Sequence, residues 1–162
     1  MLKKNSYCSY CGHPFNEGQL WPRECLSCKN ITYQNPIPVS VVLFPVDNGL
    51  LLIRRNIEPR KGMLALPGGF IDYGETWKQA GARELLEETG IKVEPDEIEL
   101  FDVQSAPDGT VLIFGLTKEL NANQLPAFSQ NDETTEFVIL KAPEELAFSL
   151  HTMVVTKYFN RQ

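Results

Sequence analysis

Long apolar runs are missing from this 162-residue chain. The most apolar stretch, Val39 to Val46, is interrupted by Pro45 and falls far short of the roughly 20 residues a bilayer-spanning helix needs. Met1-Leu2-Lys3-Lys4 carries charge, but no apolar segment follows it. No signal peptide and a cytoplasmic location are therefore expected. Basic residues are also scarce: 15 Lys and Arg face 21 Asp and Glu, for a formal net charge of −6. That balance argues against broad electrostatic binding to nucleic acid or an anionic membrane, so neither partner is expected. Repeats and low-complexity segments are absent, and a hydrophobic content of 43% suits a globular chain with one ordinary core plus a small appendage.

Cysteine is limited to four residues, and all four fall in the segment CSYCGHPFNEGQLWPRECLSC. Cys8 and Cys11 form one C-x-x-C pair, and Cys25 and Cys28 form a second after a spacer that suits a hairpin. Four thiolates at this spacing are the ligand set of a closed tetrahedral Zn2+ site, structural rather than catalytic because no position is left open. A lobe this short, with Pro14, Gly18 and Pro22, has little to bury, so the ion would supply much of its folding free energy. Two disulfides are the rival reading, and the lack of a signal peptide weighs against them. His13 is a spare donor beside a set that is already full.

The carboxylates are concentrated in GFIDYGETWKQAGARELLEETGI, Gly69 to Ile91. Thr76 followed by Gln79 is a capping box, and Gly90 then Pro95 stop what it starts, which predicts a helix over 76–89. Glu84, Glu87 and Glu88 stand at i, i+3 and i+4, so three carboxylates share a face. Ala82, Leu85, Leu86 and Thr89 fall on the face that packs on a core. Repulsion between like charges at this spacing costs about 0.2–0.5 kcal/mol per pair. A hard divalent cation such as Mg2+, which takes carboxylate and phosphate oxygens, would remove it. The small residues Ala80 and Gly81 are expected to leave room for a metal or a folded-back loop, and Arg83 can pair with Glu87. An acidic, solvated face is the bland alternative for the run taken alone.

The wider pattern decides between them. Gly69, Glu75, Arg83-Glu84-Leu85, Glu87-Glu88 and Gly90-Ile91 match every fixed position of the Nudix box, and the stretch resembles a Nudix hydrolase signature. The resemblance implies an α/β/α sandwich with a mixed sheet, and Mg2+- or Mn2+-dependent attack of water on a phosphoanhydride. It implies that Glu87 and Glu88 bind metal with the carbonyl of Gly69, that Glu84 is a further ligand or the base, and that Arg83 and Glu75 orient them. An acid from outside the box often completes such sites. Glu133 is the first candidate and Glu136 the second. Nudix enzymes often dimerise, which leaves a homodimer open.

The rest of the chain reads as α/β. Residues 1–34 are assigned to the zinc ribbon and 35–162 to the Nudix domain, with the prolines of 30–38 as a stiff connector. Strands are expected at 39–44, 50–54, 63–66, 98–104, 110–117 and 137–140, with a hairpin turn at Asp47-Asn48-Gly49 and a closing helix over 149–160. His151 on that helix reads as a packing or surface residue. The segment 121–131 is expected to be a loop near the substrate.

A zinc ribbon ahead of a Nudix domain is similar to NADH pyrophosphatases and to certain FAD and ADP-ribose pyrophosphatases. The chain has Ala127-Phe128-Ser129-Gln130-Asn131 and lacks the S-Q-P-W-P-F-P-x-S motif of the NADH enzymes, whereas ITYQNP, RRNIEP and LAFS are similar to the FAD and ADP-ribose group. The resemblance thus implies a small-molecule nucleotide, an X-linked ADP, split to release AMP. NADH or another nucleotide pyrophosphate is the alternative, and a non-catalytic nucleotide-sensing domain a further one. Tyr33, Tyr73, Trp77 and Phe128 are candidate stacking residues for the base, each with packing as its ordinary role.

Overall fold

The computed structural model describes residues 4–161. Two compact units divide between Pro36 and Ile37.

The first unit is built by two turns of one design. Gly12 N–H donates to the Cys8 carbonyl and Cys8 N–H to His13, both at 2.9 Å; Lys29 to Cys25 and Cys25 to Asn30 repeat the pair at 2.9 Å. Each C-x-x-C is therefore wrapped by a local backbone turn, and β1 (Arg23–Glu24) and β2 (Ile31–Thr32) pair antiparallel beside the second.

The second unit starts with β3 (Ile37–Val46), two residues earlier than its apolar run suggests, because Ile37 and Pro38 already pair with Thr110 and Val111. Asp47 and Asn48, both at positive φ, make the two-residue hairpin turn into β4 (Gly49–Arg55), a conformation that suits the twist of paired strands. Then come β5 (Leu64–Ala65), β6 (Gly68–Phe70), α1 (Trp77–Thr89), β7 (Glu99–Ser105), β8 (Thr110–Leu116), β9 (Thr134–Leu140) and α2 (Ser149–Phe159). The sheet is mixed: β3 runs parallel to β8 and antiparallel to β4 and β6, and β4 also pairs with β5 and β9. Burial on both faces explains why β3 and β4 read as near-continuous apolar runs. Val41, Leu43, Leu50 and Leu52 pack toward Val154 and Val155 of α2, while Val42, Phe44 and Leu51 pack toward Ala82 and Leu85 of α1. This is the expected α/β/α sandwich. Among the described residues no helix is long and apolar enough to cross a membrane.

Helix α1 begins and ends where its caps predict. Thr76 Oγ1 accepts from Gln79 N–H, the Gln79 side chain accepts from Thr76 N–H, and Gly90 closes the helix in the left-handed conformation. Its faces differ from the expectation in two ways. Leu86 is exposed, and Glu88 takes a buried place instead. Gly81 makes room for β3 rather than for a metal or a folded-back loop: a Cβ on it would lie 2.9 Å from Ser40 Oγ and 3.1 Å from Val42 Cγ2. The helix is drawn against the strand at that point, and Ser40 Oγ donates to the Trp77 carbonyl at 2.7 Å.

Candidate active site

The turn at β6 and the face of α1 meet at one end of the sheet. Gly68 N–H donates to Glu88 Oε2 at 2.8 Å, so the buried glutamate is held by the backbone of the glycine turn. The next residue, Gly69, lies so close to Glu84 that an added Cβ would sit 2.6 Å from its Cδ, so any side chain there would displace that carboxylate. Arg83 organises the exposed side. Its Nε and Nη2 grip Glu75 at 2.8 and 3.0 Å, its Nη1 donates to Glu84 at 2.7 Å and Glu87 at 3.1 Å, and Nη2 also reaches the Phe70 carbonyl. The expected pairing of Arg83 with Glu87 is thus the longest contact of a wider fork, whose bidentate end is Glu75.

The electrostatics follow from burial. Glu88, only 4% exposed, has its pKa pushed up to about 8, by burial first and then by the charges of Glu84 and Glu133, against the favourable Gly68 N–H. Burial likewise raises that of Glu84, despite the neighbouring guanidinium. Glu75 is held below the usual carboxylate range by its hydrogen bonds to Arg83 and to Asp72 N–H. A cluster of acids that the fold forces together at this cost fits a hard cation.

These groups line one cleft of about 1140 Å³. Glu84, Glu87, Glu88 and Gly69 reach it, and so does Glu133, the residue before β9. Glu136 does not line it; its carboxylate is tied to Arg54 at 2.6 Å. Of the aromatic candidates, Tyr73 projects fully into solvent, Trp77 packs against the α1-side core and Phe128 packs on Phe137. None of Tyr33, Tyr73, Trp77 and Phe128 lines the cleft, whereas Phe70 and Phe148 do. The segment 121–131 contributes no cleft residue, and its Leu125 packs on the α1-side core. His151 is buried, accepts from Leu66 N–H through Nδ1 at 3.2 Å, and is kept neutral by that burial, with its pKa down to about 3.

Arg55 escaped the sequence reading. Its Nε donates to the Pro59 carbonyl at 2.9 Å, its guanidinium lies 5.1 Å from the centre of the Phe148 ring, and it lines the cleft with Arg60. The signal was present in the stretches RRNIEP and LAFS, which carry Arg55 and Phe148.

In the first unit the four Sγ atoms lie within 4.8 Å of one another, with Cys8 and Cys28 at 3.7 Å and Cys11 and Cys25 at 3.6 Å. A tetrahedron with Zn–S bonds of about 2.3 Å has edges of about 3.8 Å, so the group fits zinc. All four are free thiols. Burial disfavours the Cys8 thiolate, yet hydrogen bonds from Tyr10 and Cys11 N–H outweigh it and bring its pKa down to about 6.

A mixed-sheet α/β/α sandwich whose glycine turn and helical glutamates meet in one cleft defines a class of divalent-metal hydrolase. The family model for the NUDIX domain matches residues 34–157, and the chain belongs to the Nudix hydrolase family. The crystal structure of a NUDIX hydrolase from Nitrosomonas europaea is 31% identical, with a TM-score of 0.78 over 97% of this chain and 92% of that one. A bifunctional NMN adenylyltransferase/ADP ribose pyrophosphatase from Francisella tularensis, solved with AMP and a manganese ion, is 27% identical over 66% of this chain and 34% of that one, with a TM-score of 0.57. The NAD-capped RNA hydrolase NudC of Edwardsiella ictaluri is 38% identical over 93 residues, 57% of this chain. The match spans about a third of the length of such curated relatives, 36% here and 35% for the Salmonella typhi protein.

Proposed function

We propose that this Nudix hydrolase cleaves the pyrophosphate bond of a nucleoside diphosphate joined to a second moiety, of the FAD or ADP-ribose type. One water is consumed, one P–O–P bond breaks, and AMP leaves beside the phosphate ester of the other moiety. The observation that carries the reading is the composition of the cleft. Eight carboxylates, Glu84, Glu87, Glu88 and Glu133 among them, line it together with the guanidinium groups of Arg55, Arg60 and Arg83 and the rings of Phe70 and Phe148. At about 1140 Å³ it is roomy beside the roughly 300–1,000 Å³ of ordinary small-ligand sites and can take a two-part nucleotide.

In this reading Glu84, Glu87, Glu88 and the Gly69 carbonyl hold Mg2+ or Mn2+, which supplies positive charge against the phosphates and a Lewis acid toward water. Arg83 fixes Glu84 and Glu87 through its fork. Glu84 serves as a further ligand or takes the proton of the attacking water, and Glu133 is the acid from outside the box. Arg55, steadied by Pro59 and Phe148, offers its terminal nitrogens to a substrate phosphate. Residues 1–34 form a zinc-held lobe, and residues 35–162 form the catalytic domain.

A second reading is favoured by the likeness to NudC. An NAD cap is itself a dinucleotide with the same reacting bond, so capped RNA is a candidate substrate even for an acidic chain. The test is Mg2+-dependent hydrolysis of FAD, ADP-ribose, NADH, NAD-capped RNA, dinucleoside polyphosphates and oxidised deoxynucleoside triphosphates, with products identified. AMP from FAD or ADP-ribose is the expected result. Preference for capped RNA selects the second reading, and no turnover of any substrate returns the protein to a nucleotide-sensing role.

A further inference from the structure

Asn131 lies outside the Nudix box and the cleft, yet its side chain is used twice. Its Nδ2 donates to the Glu87 carbonyl at 2.9 Å and reaches the Glu88 carbonyl at 3.5 Å. Both carbonyls belong to the last turn of α1, where no later helical N–H remains to meet them. Its Oδ1 accepts from the N–H of Glu133 at 3.0 Å and of Thr134 at 2.8 Å. Carbonyls on one side and N–H groups on the other leave the amide a single orientation. The backbone adds to the clamp. Asn131 N–H donates to the Thr134 carbonyl at 3.1 Å, and Asn56 N–H to the Glu133 carbonyl at 2.7 Å. The β4–β9 register shifts between Arg54 and Arg55 at this same point, so the ladder by itself does not fix where Glu133 lies.

We propose that Asn131 is a positioning residue for the reaction: it ties the backbone of Glu133 to the end of the helix that carries Glu87 and Glu88, and thereby sets how the outside acid meets the other carboxylates. The inference rests on the reading of Glu133 as that acid. A side chain that merely anchored a loop would affect stability alone. One that acts through Glu133 loses its effect when the carboxylate is removed.

The test is a double-mutant cycle in the full chain with Asn131→Ala, Glu133→Gln and the pair. It reads kcat and KM on ADP-ribose or FAD, whichever the protein turns over, and Mn2+ affinity by electron paramagnetic resonance. Asn131→Ala is expected to lower kcat about tenfold and weaken Mn2+ about tenfold, with KM within about twofold, in line with the loss of an outer partner of a metal site. In the Glu133→Gln background it is expected to change neither kcat nor Mn2+ affinity further. Asn131→Asp keeps the acceptor but sets an oxygen against two carbonyls, and is expected to do at least as much damage as alanine. Should alanine fold poorly, Asn131→Ser enters the same cycle. Losses that multiply in the double variant overturn the proposal, as does a lowered melting temperature with kcat and Mn2+ affinity unchanged. Glu133→Gln with undiminished kcat and Mn2+ affinity removes the outside-acid reading instead, and the proposal with it.

Discussion

The two ligand clusters of this protein are built in opposite ways. In the ribbon, four thiols are brought together by two repeated local turns, and Cys8 and Cys25 are the only buried hydrophobic residues of residues 4–36. At α1, three glutamates are placed by a helix packed on the core at one face of the sheet, and the fold supports their mutual repulsion. The first arrangement has almost nothing else to bury, so a bound ion would supply much of what holds it together. The second is a structure already, and needs an ion in order to be relaxed.

The sharpest way to break that contrast is Cys25→Ser. Binding of a structural zinc is worth about 10–16 kcal/mol to a small domain of this kind. The variant is therefore expected to lose zinc by metal analysis and the amide dispersion of residues 4–36 in NMR spectra, while the signals of 37–161 persist. A ribbon that stayed ordered without metal would refute the comparison. Next in size is Glu87→Gln. The fork from Arg83 and the helix caps survive it, so circular dichroism should be unchanged while Mg2+-dependent turnover drops by about 10²-fold or more. Near wild-type turnover would sink the assignment of the helix face.

A pH titration sharpens the electrostatic half. A carboxyl whose folded pKa is raised contributes stability at low pH that is lost as the pH climbs through that value. With Glu88 up at about 8, the melting temperature of metal-free protein should fall between about pH 5 and 8. Mg2+ should recover more of it at pH 8 than at pH 6; an equal gain at both would show that the buried acid is not the group being relieved. The smallest effect is expected at Thr134→Val. Thr134 Oγ1 is buried without a hydrogen-bond partner among the described residues, so the isosteric change should leave activity intact and raise stability by roughly 1 kcal/mol in a denaturant melt.

Much of the site was legible because its signals are local. The Thr76 cap, the Gly90 stop and the spacing of Glu84, Glu87 and Glu88 depend on helix geometry alone, and each C-x-x-C on a five-residue turn. The errors came where the partner is distant in sequence. Gly81 read as space for a metal because nothing nearby in the chain announces that Ser40 and Val42 press against it. Leu86 and Glu88 exchanged the environments expected of them because the direction from which the sheet covers α1 is a tertiary fact. Arg55 drew no reading of its own because Phe148, which supplies the face on which it rests, lies at the far end of the chain.

By itself, then, the sequence determined the reaction family, the helix with its three carboxylates, and the four-thiol set. All of these are fixed by spacing along one backbone. Only the tertiary structure decided that Glu88 is buried, that Glu133 rather than Glu136 enters the cleft, and that Asn131 joins it to the helix. Burial and charge proximity arise between strands and helices that meet only when the sheet is assembled, and no spacing along the chain encodes them directly.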